Sequence, residues 1–282
     1  MTKNILVIGG AGFIGSHIAR RLANQGNNVV VYDLIKPKKN QLRYSDNVEY
    51  IEADTRDISK ILTNKFDICL HLGEYARVEQ SFDDLNQVIN SNLIGTSSVV
   101  KFALENVEKF IYAGSSTKFI PENLPAHSPY SVSKSCNTQM ISKLFELLGR
   151  SYAICYFYNV YGPGEKGDKK YGTVIQKFIN AKLNNEEISI TGPGTQLRNF
   201  THIDDTCDAL ELITHHGLGD GYGIASSEAY SIIQIANILQ LDFKLAPEKA
   251  GNRMSAEIMD TKTRFLGWEP KRNLEDYLNR FV

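Results

Sequence analysis

Seven residues, Gly9-Gly10-Ala11-Gly12-Phe13-Ile14-Gly15, sit directly between an apolar run, Asn4–Ile8, and a helical pattern, Gly15–Asn24. Glycines in that place permit a tight turn and let backbone N–H groups approach a pyrophosphate, which then rests on the positive end of the helix. Such turns are common on their own. Asp33 sharpens this one, because it ends the next apolar run, 18 residues beyond Gly15. A carboxylate there accepts hydrogen bonds from a ribose diol and repels a 2′-phosphate, which favours NAD over NADP. Lys36, Lys38 and Lys39 are the nearby charges that argue the other way. Gly9, Gly12, Phe13, Ile14, Gly15 and Asp33 are therefore expected to hold NAD.

The same alternation continues downstream. Val29–Tyr32, Val48–Ile51, Asp67–Leu72, Lys109–Ala113 and Tyr152–Tyr158 read as short strands. Leu85–Glu105 and Ser131–Leu148 carry apolar residues at three and four spacing and read as helices. Strand–helix alternation predicts an α/β fold, a doubly wound parallel (Rossmann) sheet with ligands at the carboxyl ends of its strands. After Asn159 the texture changes. Glycine and proline punctuate Tyr161–Gly164 and Gly192–Gly194, around helices expected near Val174–Leu183 and Asp205–His215 and a strand at Tyr222–Ala225. Residues 1–160 are read as the cofactor domain, with 200–225 returning to it. Residues 161–199 and 226–282 are read as a smaller, partly interleaved C-terminal lobe for substrate.

Composition narrows the class. A formal net charge of −1 gives no field for nucleic acid or an anionic membrane. Cys69, Cys136, Cys155 and Cys207 lack metal spacing, lie among apolar neighbours and read as buried free thiols of a reducing compartment. The six histidines form no metal pattern, so no metal is expected. No apolar run is long enough to span a bilayer, and the first strand starts at Asn4, so the expected location is cytoplasmic.

Tyr130-Ser131-Val132-Ser133-Lys134 opens the helix after Pro129, and a spacing of four puts Tyr130 and Lys134 on one helix face. The lysine's charge favours the phenolate, and such a phenol takes a proton from a substrate hydroxyl while hydride leaves the same carbon. A pair like this is common by chance. It gains force from Gly114-Ser115-Ser116-Thr117, which ends the preceding strand at its carboxyl edge.

With these residues assembled, the chain resembles an extended short-chain dehydrogenase/reductase of the NAD-dependent sugar-nucleotide epimerase/dehydratase family, UDP-glucose 4-epimerase-like. The likeness is carried by the glycine turn, Asp54-Thr55-Arg56-Asp57, His71-Leu72-Gly73, Asn92–Thr96, Ser115, Tyr130/Lys134, Asn159–Gly164, Arg198–Asp205 and Leu266–Pro270. It implies that Tyr130 is the acid/base, that Lys134 holds the nicotinamide ribose, and that Ser115 orients the sugar hydroxyl. It places Asp54 and Thr55 near adenine and Leu72 beside the cofactor. It gives Asn159 and Arg198 to the diphosphate of a nucleotide-diphosphate sugar, with Arg253 or Lys249 as the second phosphate contact. It also implies a homodimer through a four-helix bundle of Leu85–Glu105 and Ser131–Leu148, and a place in polysaccharide biosynthesis. Trp268 reads as core.

The departures bear on the reaction. Relatives that carry out 4,6-dehydration resemble this chain but have an Asp-Glu pair where Ser116 and Thr117 stand, and those that epimerise C3 and C5 have a cysteine at Thr117. Hydroxyls titrate too high for either task. What remains is oxidation at C4, ending in a 4-epimerase or in a 4-dehydrogenase that releases the keto sugar. A non-catalytic NAD sensor is the rival outside enzymes. Glu74-Tyr75-Ala76-Arg77 stands where small residues are usual, so Tyr75 or Arg77 is expected to touch the sugar, beside Ser116 and Thr117.

Overall fold

The computed structural model describes residues 1–119, 127–168, 170–247 and 257–282. Its strands are β1 (Asn4–Ile8), β2 (Asn28–Asp33), β3 (Val48–Glu52), β4 (Phe66–His71), β5 (Val107–Ser115) and β6 (Ser151–Phe157), followed by β7 (Val160–Tyr161), β8 (Ile188–Thr191), β9 (Leu197–Asn199), β10 (Thr201–His202), β11 (Gly219–Ile224), β12 (Ala229–Ser231) and β13 (Phe243–Ala246). The helices are α1 (Phe13–Asn24), α2 (Ile58–Ile61), α3 (Leu85–Val88), α4 (Thr96–Asn106), α5 (Pro129–Leu147), α6 (Val174–Asn184), α7 (Ile203–His216), α8 (Ile232–Ile238), α9 (Thr261–Phe265) and α10 (Leu274–Leu278).

Seven strands make one parallel sheet in the order β11-β6-β5-β4-β1-β2-β3. The chain winds outward from β1 in both directions, so a crevice opens at the carboxyl ends of β1 and β4. Alternation of side chains explains why the strands read as unbroken apolar runs. Ile5 and Val7 enter a core shared with Ile18 and Leu22 of α1 and Ile203 and Leu210 of α7. Leu6 and Ile8 enter the opposite core with Val99 and Phe102 of α4 and Ile141 and Phe145 of α5. Both faces are covered, as a parallel sheet requires. A third core of Tyr161, Phe178, Ile190, Ile235, Leu239 and Tyr277 forms away from the sheet, from the later elements.

β10 pairs with β7 in a separate two-stranded sheet, α7 contributes to the first core, and β11 lies beside β6 at the edge of the seven-stranded sheet. Buried Trp268 donates its indole N–H to the Asp205 carbonyl at 2.8 Å. The Asp205 carboxylate accepts the backbone N–H groups of Lys271 (3.1 Å) and Arg272 (2.9 Å) and the Arg272 guanidinium (2.5 Å). These bonds fasten the C-terminal segment to α7.

Two expectations need correction. The helix expected over Leu85–Glu105 is composite: α3 passes through a wider π-type stretch, Ile89–Gly95, before α4. The widened turn brings Asn92 inward, where it bonds Tyr75 and Ser133. The cysteines are also not uniformly buried. Cys69, Cys155 and Cys207 are, but Cys136 is exposed, because it lies on the outer face of α5, four residues from Val132 and from Met140.

Candidate active site

The glycine turn is packed backbone against backbone. Gly9 has φ +78°, and a Cβ there would stand 2.5 Å from the Cα of Gly73 in the loop after β4. A Cβ on Gly15 would overlap the carbonyl oxygen of Gly9. Gly12 is the N-cap of α1, with no side-chain cap and no acidic residue in the first turn. The first N–H groups of α1 therefore keep their capacity for an anion, the cradle a dinucleotide pyrophosphate needs.

Asp33 closes the far end. Its two carboxylate oxygens accept the N–H groups of Ala11 (2.9 Å) and Ile35 (3.3 Å), and burial pushes its pKa up. Arg43, not singled out in the sequence, reaches the same region, donating to the carbonyls of Gly164 (2.6 Å) and Ala11 (3.4 Å). Asp54 caps the turn that follows β3, and hydrogen bonds from Arg56 hold its carboxyl below the usual range.

One cavity of about 1150 Å³ gathers most of the expected residues. Gly9, Gly12, Phe13, Ile14, Gly15, Asp33, Asp54, Thr55 and Leu72 line one side, with Ser115, Ser116, Thr117, Tyr130 and Lys134 beyond them. Tyr75, Asn159 and Arg198 complete the wall. Lys36, Lys38 and Lys39 are not in the lining. Arg253 and Lys249 lie outside the described residues. Among the described residues no cluster of His, Cys, Asp and Glu could hold a metal ion, and no helix is long and apolar enough to cross a membrane.

Helix α5 delivers the pair that the sequence singled out. Ser128 caps it reciprocally with Ser131 and Pro129 occupies its first turn, which fixes where Tyr130 begins to project. Lys134, one turn on, is buried and donates to the Ala113 carbonyl of β5 at 2.6 Å. It also bonds the carboxylate of Glu74. Ser115, at the end of β5, accepts the Thr117 hydroxyl at 2.9 Å.

The remaining cavity residues have partners within the protein. The Tyr75 hydroxyl donates to Asp84 at 2.9 Å, so it is committed to structure while the residue lines the cavity. Arg77 donates to the Tyr171 carbonyl at 2.7 Å. The Asn159 amide donates to the Asn199 carbonyl at 2.9 Å, and Asn159 sits at φ 28° between β6 and β7. Arg198 reaches the Leu197 carbonyl at 2.8 Å. Glu165 was not anticipated: it lines the cavity, its Oε2 accepts the Gly162 N–H at 3.1 Å, and burial raises its pKa to about 7. Its only sequence signal is an acid inside the glycine- and proline-rich stretch that follows β7.

A family model described as the NAD-dependent epimerase/dehydratase family matches residues 5–225. The chain belongs to that family. The cofactor is NAD. Among its relatives, human dTDP-D-glucose 4,6-dehydratase is 31% identical, covering 95% of this chain and 86% of that protein. The low-salt glycan biosynthesis protein Agl12 of Haloferax volcanii is 27% identical, covering 99% and 97%. The crystal structure of UDP-glucose 4-epimerase from Thermotoga maritima, with UDP-glucose, superposes with a TM-score of 0.89 at 26% identity, covering 99% and 97%. The sheet, the cavity and the family agree on an NAD-dependent enzyme fold of the extended short-chain dehydrogenase/reductase type.

Proposed function

We propose that this family member oxidises a nucleoside-diphosphate sugar at C4 and returns the hydride to the opposite face, as a 4-epimerase. The observation that carries the reading is the single cavity lined by Tyr130, Lys134 and Ser115 together with the glycine cradle, in which Ser116 and Thr117 stand in place of carboxyls. Glu74 also lines that cavity, but it is no substitute acid. Burial alone would raise its pKa, yet the Lys134 charge and its hydrogen-bond donors bring it below the ordinary value, so it stays a carboxylate.

In this reading Tyr130, as phenolate, takes the proton of the 4-hydroxyl. The O–H electron pair becomes the second bond of the ketone as the C4 hydrogen leaves with its own pair. Bound NAD supplies the acceptor for that hydride and the donor for its return. Ser115 hydrogen-bonds the sugar oxygen, and Lys134, one turn along α5, holds the nicotinamide ribose. Once the keto sugar has turned over, Tyr130 gives the proton back to the same oxygen. Gly9, Gly12, Phe13, Ile14, Gly15, Asp33, Thr55 and Leu72 hold the cofactor. The fork of Arg198 and the amide of Asn159 hold the substrate diphosphate. Residues 161–199 and 226–282 form the sugar-nucleotide lobe. Exposed Leu93, Val132, Met140 and Leu147 support a homodimer packed through α5 and the Leu85–Asn106 helix.

The test is incubation with UDP-glucose, UDP-N-acetylglucosamine and dTDP-glucose, read by product NMR and by near-ultraviolet absorbance of reduced nicotinamide. An inverted C4 centre without net NADH is expected, and Tyr130→Phe should slow it by about 10²–10⁴-fold while retaining NAD. Release of a 4-keto sugar with matching NADH would make the protein a 4-dehydrogenase instead. No conversion of any sugar, with NAD bound, would leave a sensor.

A further inference from the structure

Ser115 and Thr117 meet on the wall of the cavity, where β5 gives way to a single 3-10 turn, Ser116–Phe119. Ser115 is the last residue of the strand and is buried. Its Oγ accepts the Thr117 hydroxyl at 2.9 Å and the Thr117 backbone N–H at 3.3 Å. Among the described residues these are the bonds that Ser115 Oγ makes. The turn that carries Thr117 is held from behind. Lys118, the next residue, is absent from the cavity lining and donates to the Asp220 carboxylate of β11 at 2.7 Å and to the Tyr156 hydroxyl of β6 at 2.9 Å. The Tyr156 ring packs against Gly114, where a Cβ would stand 2.7 Å from it. Gly114 and Lys118 thus fix the backbone on either side of Ser115 and Thr117.

A serine hydroxyl has one proton to give and two lone pairs with which to accept. Thr117 supplies a donor to each lone pair, so the single Ser115 proton is left for an acceptor outside this pair, and the cavity is where a ligand oxygen would stand. In the reaction proposed above, the oxygen on C4 gains negative charge as its proton passes to Tyr130, and again as hydride returns to the ketone. A donor already aimed at that oxygen stabilises the charge without reorganising at either moment. A serine that gave its proton to a neighbour within the protein would meet the same oxygen with a lone pair.

We propose that Thr117 is a positioning residue: it occupies the acceptor sites of Ser115 and so turns the Ser115 proton outward, toward the reacting sugar oxygen. The proton stays on Ser115 throughout, and Tyr130 remains the group that exchanges one with the sugar. The proposal rests on the C4 oxidation given above and deepens it. The residue type at position 117 then decides whether Ser115 acts as a donor or as an acceptor.

The test uses holoenzyme and whichever of UDP-glucose, UDP-N-acetylglucosamine and dTDP-glucose the wild type converts. Thr117→Val keeps the shape and the backbone N–H but removes the hydroxyl. Its kcat should fall about tenfold with KM within about twofold of the wild type, and Thr117→Ser should recover most of the loss. Ser115→Ala should cost about 10²-fold in kcat. Adding Thr117→Val to it should change kcat by less than about twofold, because a residue that acts through Ser115 has nothing left to act on. A further fall of about tenfold in the double variant makes Thr117 independent of Ser115 and overturns the proposal. So does a Thr117→Val kcat within about twofold of the wild type, or a raised KM at unchanged kcat, the mark of a plain substrate contact. NAD retention and the urea midpoint report folding. If Thr117→Val does not fold, Thr117→Ala carries the same comparison, and failure of both assigns Thr117 to folding and overturns the proposal. Conversion of none of the three sugars by the wild type removes the C4 reading and this proposal with it. Wild-type conversion with an indifferent Thr117→Val removes this proposal alone.

Discussion

Glu165 has one oxygen on the Gly162 N–H, and its Oε1 is buried. Burial moves its pKa from 4.5 to about 7. Across that interval the unfolded chain sheds the proton and the folded chain keeps it. The native state therefore binds more protons, and stability falls as pH rises, with the loss complete above about 7. Glu165→Gln should remove this penalty, so its advantage over the wild type in urea unfolding should grow by about 1–2 kcal/mol between about pH 4 and about pH 8. Tyr75→Phe should lose only the bond to Asp84, costing about 1 kcal/mol of stability with turnover close to wild type. At this scale legibility divides by how local the signal is. Tyr130 and Lys134 declare themselves by spacing on one helix, and Ser115 by ending a strand. Glu74 could be noticed as an oddity after Gly73 and no more, because its meaning lies in donors from Thr96, Tyr112, Lys134 and Asn137, up to 63 positions away. The Tyr75–Asp84 bond was hidden for the same reason: Asp84 sits nine positions along, and nothing in the pattern announces that they meet.

Helix boundaries were legible to within a few residues, because periodicity survives in sequence. The π-type stretch was not, since Ile89–Gly95 keeps an apolar rhythm whether its turns are ordinary or wide. What it accomplishes is tertiary: Asn92, fully buried, accepts the Tyr75 N–H at 2.7 Å and donates to the Tyr75 carbonyl at 3.1 Å and to Ser133 at 2.9 Å. Wide turns of this kind recur at functional sites. Asn92→Ala should strand the Tyr75 backbone groups and destabilise the protein by about 2–3 kcal/mol in chemical denaturation. The glycine turn was legible as a motif, but its tightness is a property of two loops. Gly15→Ala would force the turn apart from Gly9, and bound NAD should be lost before the fold is, as seen by cofactor retention on gel filtration beside circular dichroism.

At the scale of the whole molecule, alternation predicted the parallel sheet and its two covered faces, and β11 returned to the sheet edge where a last strand was expected. The third core and the fastening of Arg272 onto Asp205 were not legible, because both depend on segments distant in sequence meeting in space. Leu93 and Val132 are both substantially exposed, on helices that the dimer proposal pairs. Replacing both by Glu should convert a dimer to a monomer in sedimentation velocity, at little cost to the fold, since surface positions tolerate charge.

Cys136 supplies a chemical reporter for that face. Burial raises the thiols of Cys155 and Cys207 to about 12, and Cys69 is pushed up as well, which leaves them almost no thiolate near neutrality. A maleimide added to the folded protein should therefore mark one cysteine of four, the exposed one on α5. If the proposed pairing forms, labelling will be slow in concentrated solution and quicken on dilution, so the reactivity of one sulfur atom reads out the association of whole subunits.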